Sequence, residues 1–258
     1  MKEELFSSEE AMPLEERKRY YDDKVSELVQ FAYENAPAVR DTLDKAGVKP
    51  SQIRTTRDLE LIPFITRDGL IELQKTNPTF GGLLAVPVQT LHKVLYSPGP
   101  YYCPVVSMES CAGSSRKVLH AIGLRKGDLV ILSMPTLFGA GAGTQAAMIL
   151  DGIIAITPGA GNTELQVNMI RDLGIKEYIG TPTFLMNLVR KAEELCYDFR
   201  QEFKLRCALV WGELLLPEVR NTLEQDYGIS LRDGIGTRGS LILGCECSER
   251  AGFHIMEE

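Results

Sequence analysis

From residue 90 onward, short apolar runs alternate with helix-like segments, and that alternation confines the chain to few architectures. The runs that read as strands are Thr90 to Tyr96, Leu129 to Met134, Ile153 to Thr157, Glu177 to Gly180, Cys207 to Trp211 and Ile229 to Asp233. Candidate helices lie between them at Ser107 to Ile122, Ala142 to Leu150, Thr163 to Leu173, Pro182 to Cys196 and Pro217 to Asp226. This is the pattern of βαβ units, and it predicts an α/β fold with mostly parallel sheets flanked by helices. Open parallel sheets take ligands at the carboxyl ends of their strands, which is where the glycine-rich segments fall.

Residues 1–89 read as a helical N-terminal region ahead of an α/β core spanning 90–258. Leu14 to Tyr33 carries Val25, Leu28, Val29 and Ala32 at helical spacing, and Pro37 ends it. Ala38 to Ala46 reads as a second helix, stopped by Gly47 and Pro50, and Thr66 to Gln74 as a third with Thr66 as N-cap.

Charge and composition narrow the function classes. A formal charge of -7 with no basic run predicts no nucleic-acid partner. The N-terminus runs from Met1 into Ser7-Ser8-Glu9-Glu10 without an apolar core, and the most apolar stretch, Ala146 to Pro158, is broken by Asp151 and too short to span a bilayer. A cytoplasmic chain without a membrane partner is expected. Six cysteines at irregular spacing then read as thiols or metal ligands before disulfides.

The segment Ser97-Pro98-Gly99-Pro100-Tyr101-Tyr102-Cys103-Pro104 stands where a phosphate-binding loop would, after a strand-like run and before a helix-like one. A phosphate cradle needs converging amide donors, hydroxyls and usually a lysine. Here three prolines remove three amides, two tyrosines crowd the rest, and lysine is absent. Taken alone, these eight residues favour a rigid turn without a ligand.

Further along come Gly127-Asp128, Phe138-Gly139-Ala140-Gly141-Ala142-Gly143, Pro158-Gly159-Ala160-Gly161, Gly180-Thr181-Pro182-Thr183-Phe184, Gly212-Glu213, Asp233-Gly234-Ile235-Gly236-Thr237 and Cys245-Glu246-Cys247 with His254. In this order and spacing the chain resembles the large N-terminal domain of the adenylate-forming enzymes, in particular the phenylacetate-CoA ligase branch. Ala46 to Pro50 and Ile62 to Asp68 look similar as well. The resemblance implies an AMP-forming acyl-CoA ligase homologue, with ATP/AMP, CoA and Mg²⁺ as cofactors and a small carboxylic acid as substrate.

Residue by residue, the resemblance also implies losses. The family's phosphate loop, Ser-Ser-Gly-Thr-Thr-Gly-Lys-Pro, keeps Ser97, Gly99 and Pro104 but places Pro98, Pro100, Tyr101, Tyr102 and Cys103 at the other positions. Its later Tyr-Gly-x-x-Glu, which packs on adenine and helps to hold Mg²⁺, is matched by Asp233, Gly234 and Thr237, and a threonine hydroxyl is a poorer ligand for a hard cation than a carboxylate. Arg238, next in the chain, could contact an anion instead, although an exposed loop arginine is more often merely solvated. Gly212 and Glu213 match a turn beside the adenine and acyl group. Phe138 and Gly139 match the wall of the acyl pocket, although a phenylalanine after a strand also fits plain core.

Cys245, Cys247 and His254 supply three candidate zinc ligands. Related ligases pair the positions of Cys247 and His254 with cysteines that would fall beyond Glu258. As alternatives, Cys245 reads as a small buried residue and His254 as a satisfied loop side chain. The resemblance further implies that the core is incomplete at its C-terminal end, without the family's later ribose-binding aspartate and lid lysine. The expectation is therefore a ligase homologue weak or inactive as an isolated chain. The alternative is a binding or assembly subunit completed by a second polypeptide or a second copy covering an exposed sheet edge.

Overall fold

The computed structural model describes residues 5–237 and 242–256. Contacts divide the chain into two compact units, Met1–Val106 and Ser107–Glu258.

In the first unit, α1 (Leu14–Asn35) and α2 (Pro37–Ala46) meet at a sharp corner. Pro37 occupies the first helical position of α2, where its missing amide costs nothing. Gly47 closes α2 with φ 69°, a left-handed cap that favours glycine. Val29, Leu43 and Ile53 form a small buried core, with Val25, Tyr33, Val39, Val48 and Ile62 packed on it. Helix α3 (Arg67–Thr76) starts from Thr66, whose hydroxyl accepts from the Gly69 amide at 3.1 Å.

The Ser97–Pro104 segment differs from its sequence reading. It is not a loop leading to a helix: Lys93–Ser97 forms β1, Tyr101–Val105 forms β2, and the two pair antiparallel around a tight turn at residues 98–100. Alternation explains why, since Leu95, Tyr101 and Val105 are buried while Val94 and Tyr102 are exposed. Pro104 is tolerated because this two-stranded ribbon has free edges that need no donor from it. The hairpin is also pinned to α3. Arg67 Nε donates to the Gly99 carbonyl at 2.9 Å, and the Gln74 amide exchanges two hydrogen bonds with the Tyr102 backbone, at 2.9 and 2.8 Å.

The second unit opens with α4 (Met108–Ala112) and α5 (Ser115–Ala121), the expected single helix being broken at Gly113, with φ 42° and ψ -140°. There follow β3 (Leu129–Leu132), α6 (Gly139–Leu150), β4 (Ile154–Ile156), α7 (Thr163–Asp172), β5 (Glu177–Gly180), α8 (Pro182–Glu194), α9 (Phe199–Glu202), β6 (Cys207–Val210), α10 (Pro217–Asn221), β7 (Ser230–Gly236), β8 (Ile242–Glu246) and β9 (Phe253–Ile255). A single π-helical stretch, Thr222–Asp226, continues α10. The strands form one seven-stranded sheet in the order β4-β3-β5-β6-β7-β8-β9. Pairing is parallel from β4 through β7, and antiparallel for β8 and β9.

The α/β reading with a mostly parallel sheet therefore holds, and all six expected strands are present. Strands β3, β5 and β6 each end on three consecutive buried residues, as sheets covered on both faces require. Helix α6 starts three residues earlier than the glycines suggest. A Cβ on Gly141 would sit 2.3 Å from the Pro135 carbonyl oxygen, so glycine lets the helix start close against the chain leaving β3. Among the described residues no helix is long and apolar enough to cross a membrane.

Candidate functional site

Because β3 to β7 run parallel, their carboxyl ends share one edge of the sheet in the second unit. Strand β5 ends at Gly180, and Thr181 then caps α8, its hydroxyl accepting from the Phe184 amide at 3.3 Å, with Pro182 at the first helical position. Strand β6 ends at Val210. The next amide, of Trp211, still donates to the Gly180 carbonyl at 3.1 Å, and the chain turns at Gly212, whose φ of 85° favours glycine. Glu213 is exposed just beyond it.

On the adjoining strand, Asp233 lies opposite Val210 in the register. Gly234 follows, and a Cβ there would meet Ile242 Cδ1 at 3.0 Å and Trp211 Cβ at 3.2 Å. Gly212, Glu213, Asp233 and Gly234 are thus set on two neighbouring strand ends. Thr237 stands exposed one residue past the end of β7. Phe138 and Gly139 form the head of α6 in the same unit. Ser97 and Gly99 belong to the first unit, where the Gly99 amide donates to Ser97 Oγ at 3.4 Å inside the hairpin turn. Arg238 lies outside the described residues.

Two polar systems support these strand ends. The first is ionic. Arg220 on α10 contacts Glu246 on β8 at 2.6 Å and Glu224 at 3.8 Å, all three side chains being less than a fifth exposed. Glu246 also accepts from the Asp233 amide at 3.1 Å, and Glu224 from the Leu231 amide at 3.1 Å and from Arg250 at 2.7 Å. Burial, reinforced by the Glu246 charge, raises the pKa of the Asp233 carboxyl, with Arg220 acting in the opposite sense.

The second system is neutral and buried. Ser133, just past β3, donates to Gln166 Oε1 at 2.6 Å, and Gln166 Nε2 donates to the carbonyls of Gly159 and Gly161 at 3.0 and 2.7 Å. The Tyr178 hydroxyl donates to the Thr181 carbonyl at 3.1 Å, and the Ser133 amide donates to the Ile179 carbonyl at 2.8 Å. Burial above all, with Glu213 adding to it, pushes the Tyr178 phenol far up, so it stays a neutral donor. Ser133, Gln166 and Tyr178 were not among the expected site residues. The trace they leave in the sequence is Gln166 on the otherwise apolar inner stripe of α7, beside Val167 and Ile170. Trp211, which ends the expected strand, carries a buried indole N–H with no acceptor among the described residues.

The zinc expectation finds little support. Cys245 and His254 face each other across β8 and β9, yet no group of three metal-ligating side chains forms among the described residues. Cys245 is 3% exposed, and burial pushes its thiol up to about 11. Magnesium fares no better. Thr237 offers a hydroxyl, and Asp233 is a half-buried carboxyl disfavoured in its charged form. Among the described residues neither ion finds a complete set of ligands, and no step is routed through one.

No protein-family model matches the chain. Among characterised proteins, it is 29% identical to a phenylacetate-coenzyme A ligase of Pseudomonas putida over 81% of this chain and 48% of the relative. A phenylacetate-coenzyme A ligase of Thermus thermophilus is 28% identical over 96% of this chain and 57% of the relative. The chain is phenylacetate-CoA ligase-like. The ligase-like chain spans about half the length of the relatives it matches. Its fold superposes on 2-hydroxyisobutyryl-CoA ligase, solved in an open conformation with 2-HIB-AMP and CoA, with a TM-score of 0.81 and 26% identity over 88% of this chain and 51% of that one. A benzoate CoA ligase from Burkholderia xenovorans LB400, at TM-score 0.52 and 17% identity, shares the fold.

Proposed function

We propose that the second unit binds a nucleotide-linked carboxylate, an acyl-adenylate, at the carboxyl ends of β5, β6 and β7, and that the chain is an AMP-forming acyl-CoA ligase homologue of the aryl-acid type with weak or no turnover of its own. In the complete reaction, a carboxylate attacks the α-phosphate of ATP, giving acyl-adenylate and pyrophosphate. The CoA thiol then attacks the acyl carbon, loses its proton and displaces AMP.

The observation carrying this reading is the placement of the Gly212-Glu213 turn beside Asp233-Gly234. Gly212 lets a planar base or acyl group approach the backbone, and the exposed Glu213 carboxylate can accept from ribose or base donors. Phe138 and Gly139, at the head of α6, would bound the acyl group. Weak turnover follows from the residues: Asp233 cannot stack on a base, Thr237 replaces an acid, and the Ser97 to Pro104 hairpin lacks phosphate donors and has its Gly99 carbonyl and amide already engaged.

Calorimetry with AMP and with a non-hydrolysable phenylacetyl-sulfamoyl adenosine tests the binding claim. A pyrophosphate-release assay with ATP, Mg²⁺ and a panel of aryl and fatty acids tests the turnover claim. Binding of the analogue with little or no pyrophosphate is expected. Absence of binding refutes the site, and brisk pyrophosphate release refutes the weak-turnover reading.

A second reading, a binding or assembly subunit, draws support from β9. This last strand in the sheet order keeps Phe253, His254 and Ile255 exposed, so another strand could pair there. Light scattering across protein concentrations would show a monomer if that reading fails.

A further inference from the structure

Gln166 is fully buried and uses both ends of its amide, which is unusual for a glutamine on a helix packed against a sheet. Its Nε2 has two protons, and both go to carbonyls of one loop, those of Gly159 and Gly161. Its Oε1 takes the Ser133 hydroxyl at 2.6 Å. The loop in question leaves β4 and enters α7 through Gly159 at φ 78°, Gly161 at φ 102° and Asn162 at φ 46°. Three positive φ values within four residues mark a backbone with many alternatives, so something must select one of them.

The same polar chain continues sideways. The Ser133 amide donates to the Ile179 carbonyl of β5 at 2.8 Å, the Tyr178 hydroxyl donates to the Thr181 carbonyl at 3.1 Å, and the Trp211 amide, two residues before Glu213, donates to the Gly180 carbonyl at 3.1 Å. Ala160, Gly161 and Asn162 are exposed, whereas their anchors are inside. A single side chain therefore ties the β4–α7 loop to the β3 and β5 ends and, through them, to the strand end that carries Glu213.

We infer that Gln166 is a positioning residue: it pins the Pro158–Gly161 loop and, through Ser133 and the end of β5, holds that loop in fixed relation to the Thr181 and Glu213 segment where the ligand is proposed to bind. The inference about the ligand rests on the adenylate reading above. The pinning does not. A satisfied buried network fixes one arrangement, whereas a half-satisfied one favours none.

The test compares Gln166→Leu, similar in size but unable to hydrogen-bond, with Gln166→Glu. The Glu side chain, when protonated, donates one hydrogen bond to a loop carbonyl and accepts from Ser133. When ionised, it turns negative oxygens toward two carbonyls. Groups facing the position are Ser133 and Tyr178, with Glu213 acting on Tyr178, and raising the pH should therefore release the loop in this variant alone.

Backbone order parameters from ¹⁵N relaxation at Gly159 and Gly161 report the loop directly. The wild type is expected near the rigid value of about 0.85 at all pH values, and Gln166→Leu below about 0.6. Gln166→Glu should move from the first to the second as pH rises. Affinity for phenylacetyl-sulfamoyl adenosine should fall about tenfold in Gln166→Leu and track pH in Gln166→Glu.

Equal order in all three proteins overturns the pinning. Loosening spread evenly over the second unit also overturns it, because that is a packing defect. A disordered loop with unchanged analogue affinity overturns the link to the site. If the wild type does not bind the analogue, the adenylate reading fails, and the order parameters still decide the pinning.

Discussion

Replacing Glu246 with alanine is expected to destabilise the second unit by about 2–4 kcal/mol. Arg220 and Glu246 meet at 2.6 Å with side chains 18% and 12% exposed, so the pair is largely removed from water. Breaking such a pair from one side typically costs about 3–5 kcal/mol, because a charge stays buried without its partner. Two features of this site move the figure. Glu224 still stands 3.8 Å from Arg220 and softens the loss, whereas the Asp233 amide loses its acceptor and adds to it. Trp211 is the chain's sole tryptophan and is 4% exposed in the second unit, so its fluorescence reports the unfolding of that unit in urea. The midpoint should fall with an unchanged slope. Glu246→Gln, which keeps an acceptor for Asp233, should lose less. In the double variant Arg220→Met/Glu246→Leu part of the stability should return, because Glu224 keeps Arg250 as its partner while the Asp233 amide still lacks its acceptor. A loss under about 0.5 kcal/mol for Glu246→Ala, or strict additivity in the double variant, refutes the reasoning.

Gly141→Ala should cost about 1–3 kcal/mol, since the new Cβ would stand 2.3 Å from a backbone oxygen that cannot swing away, whereas Gly139→Ala, with open space around it, should be neutral or stabilising by up to about 1 kcal/mol; the thermal midpoints of the pair check this. Tyr227 donates to Glu193 and has its pKa pushed up to about 12, first by that hydrogen bond and then by burial. Between pH 10 and 12 the unfolded chain releases this proton while the folded one keeps it, so stability should decline as pH rises through that window, and Tyr227→Phe should lessen the decline in urea titrations. Gln74→Ala removes the acceptor of the Tyr102 amide, and hydrogen exchange at Tyr102 should quicken by roughly fivefold or more, about 1 kcal/mol of a lost hydrogen bond, with unchanged rates in the seven-stranded sheet.

Much of the architecture could be read from local pattern. Apolar runs of four to six residues bounded by glycine or proline became β3 to β7, and Thr66 and Thr181 cap helices as their hydroxyls and the following sequence suggest. Elements that depend on remote partners could not be read this way. The second strand of the hairpin contains Tyr101, Tyr102, Cys103 and Pro104, and its position is set by Gln74 and by pairing with β1. Strands β8 and β9 are short and take their place by pairing beside β7.

The site divides along the same line. Gly212, Glu213, Asp233 and Gly234 stood out through the resemblance to the ligase family's motifs, which places them after strand-like runs. The pairing of Asp233 with Val210, the hold of Glu246 on the Asp233 amide, and the Ser133–Gln166 bond join residues 13 to 33 positions apart in sequence. Periodicity and turn chemistry act over a few residues, and they sufficed to determine the α/β class and the order of β3 to β7 with the helices between them. Hydrogen bonding and desolvation act through space, so only the folded chain decided which polar groups are buried together and which backbone turns they hold.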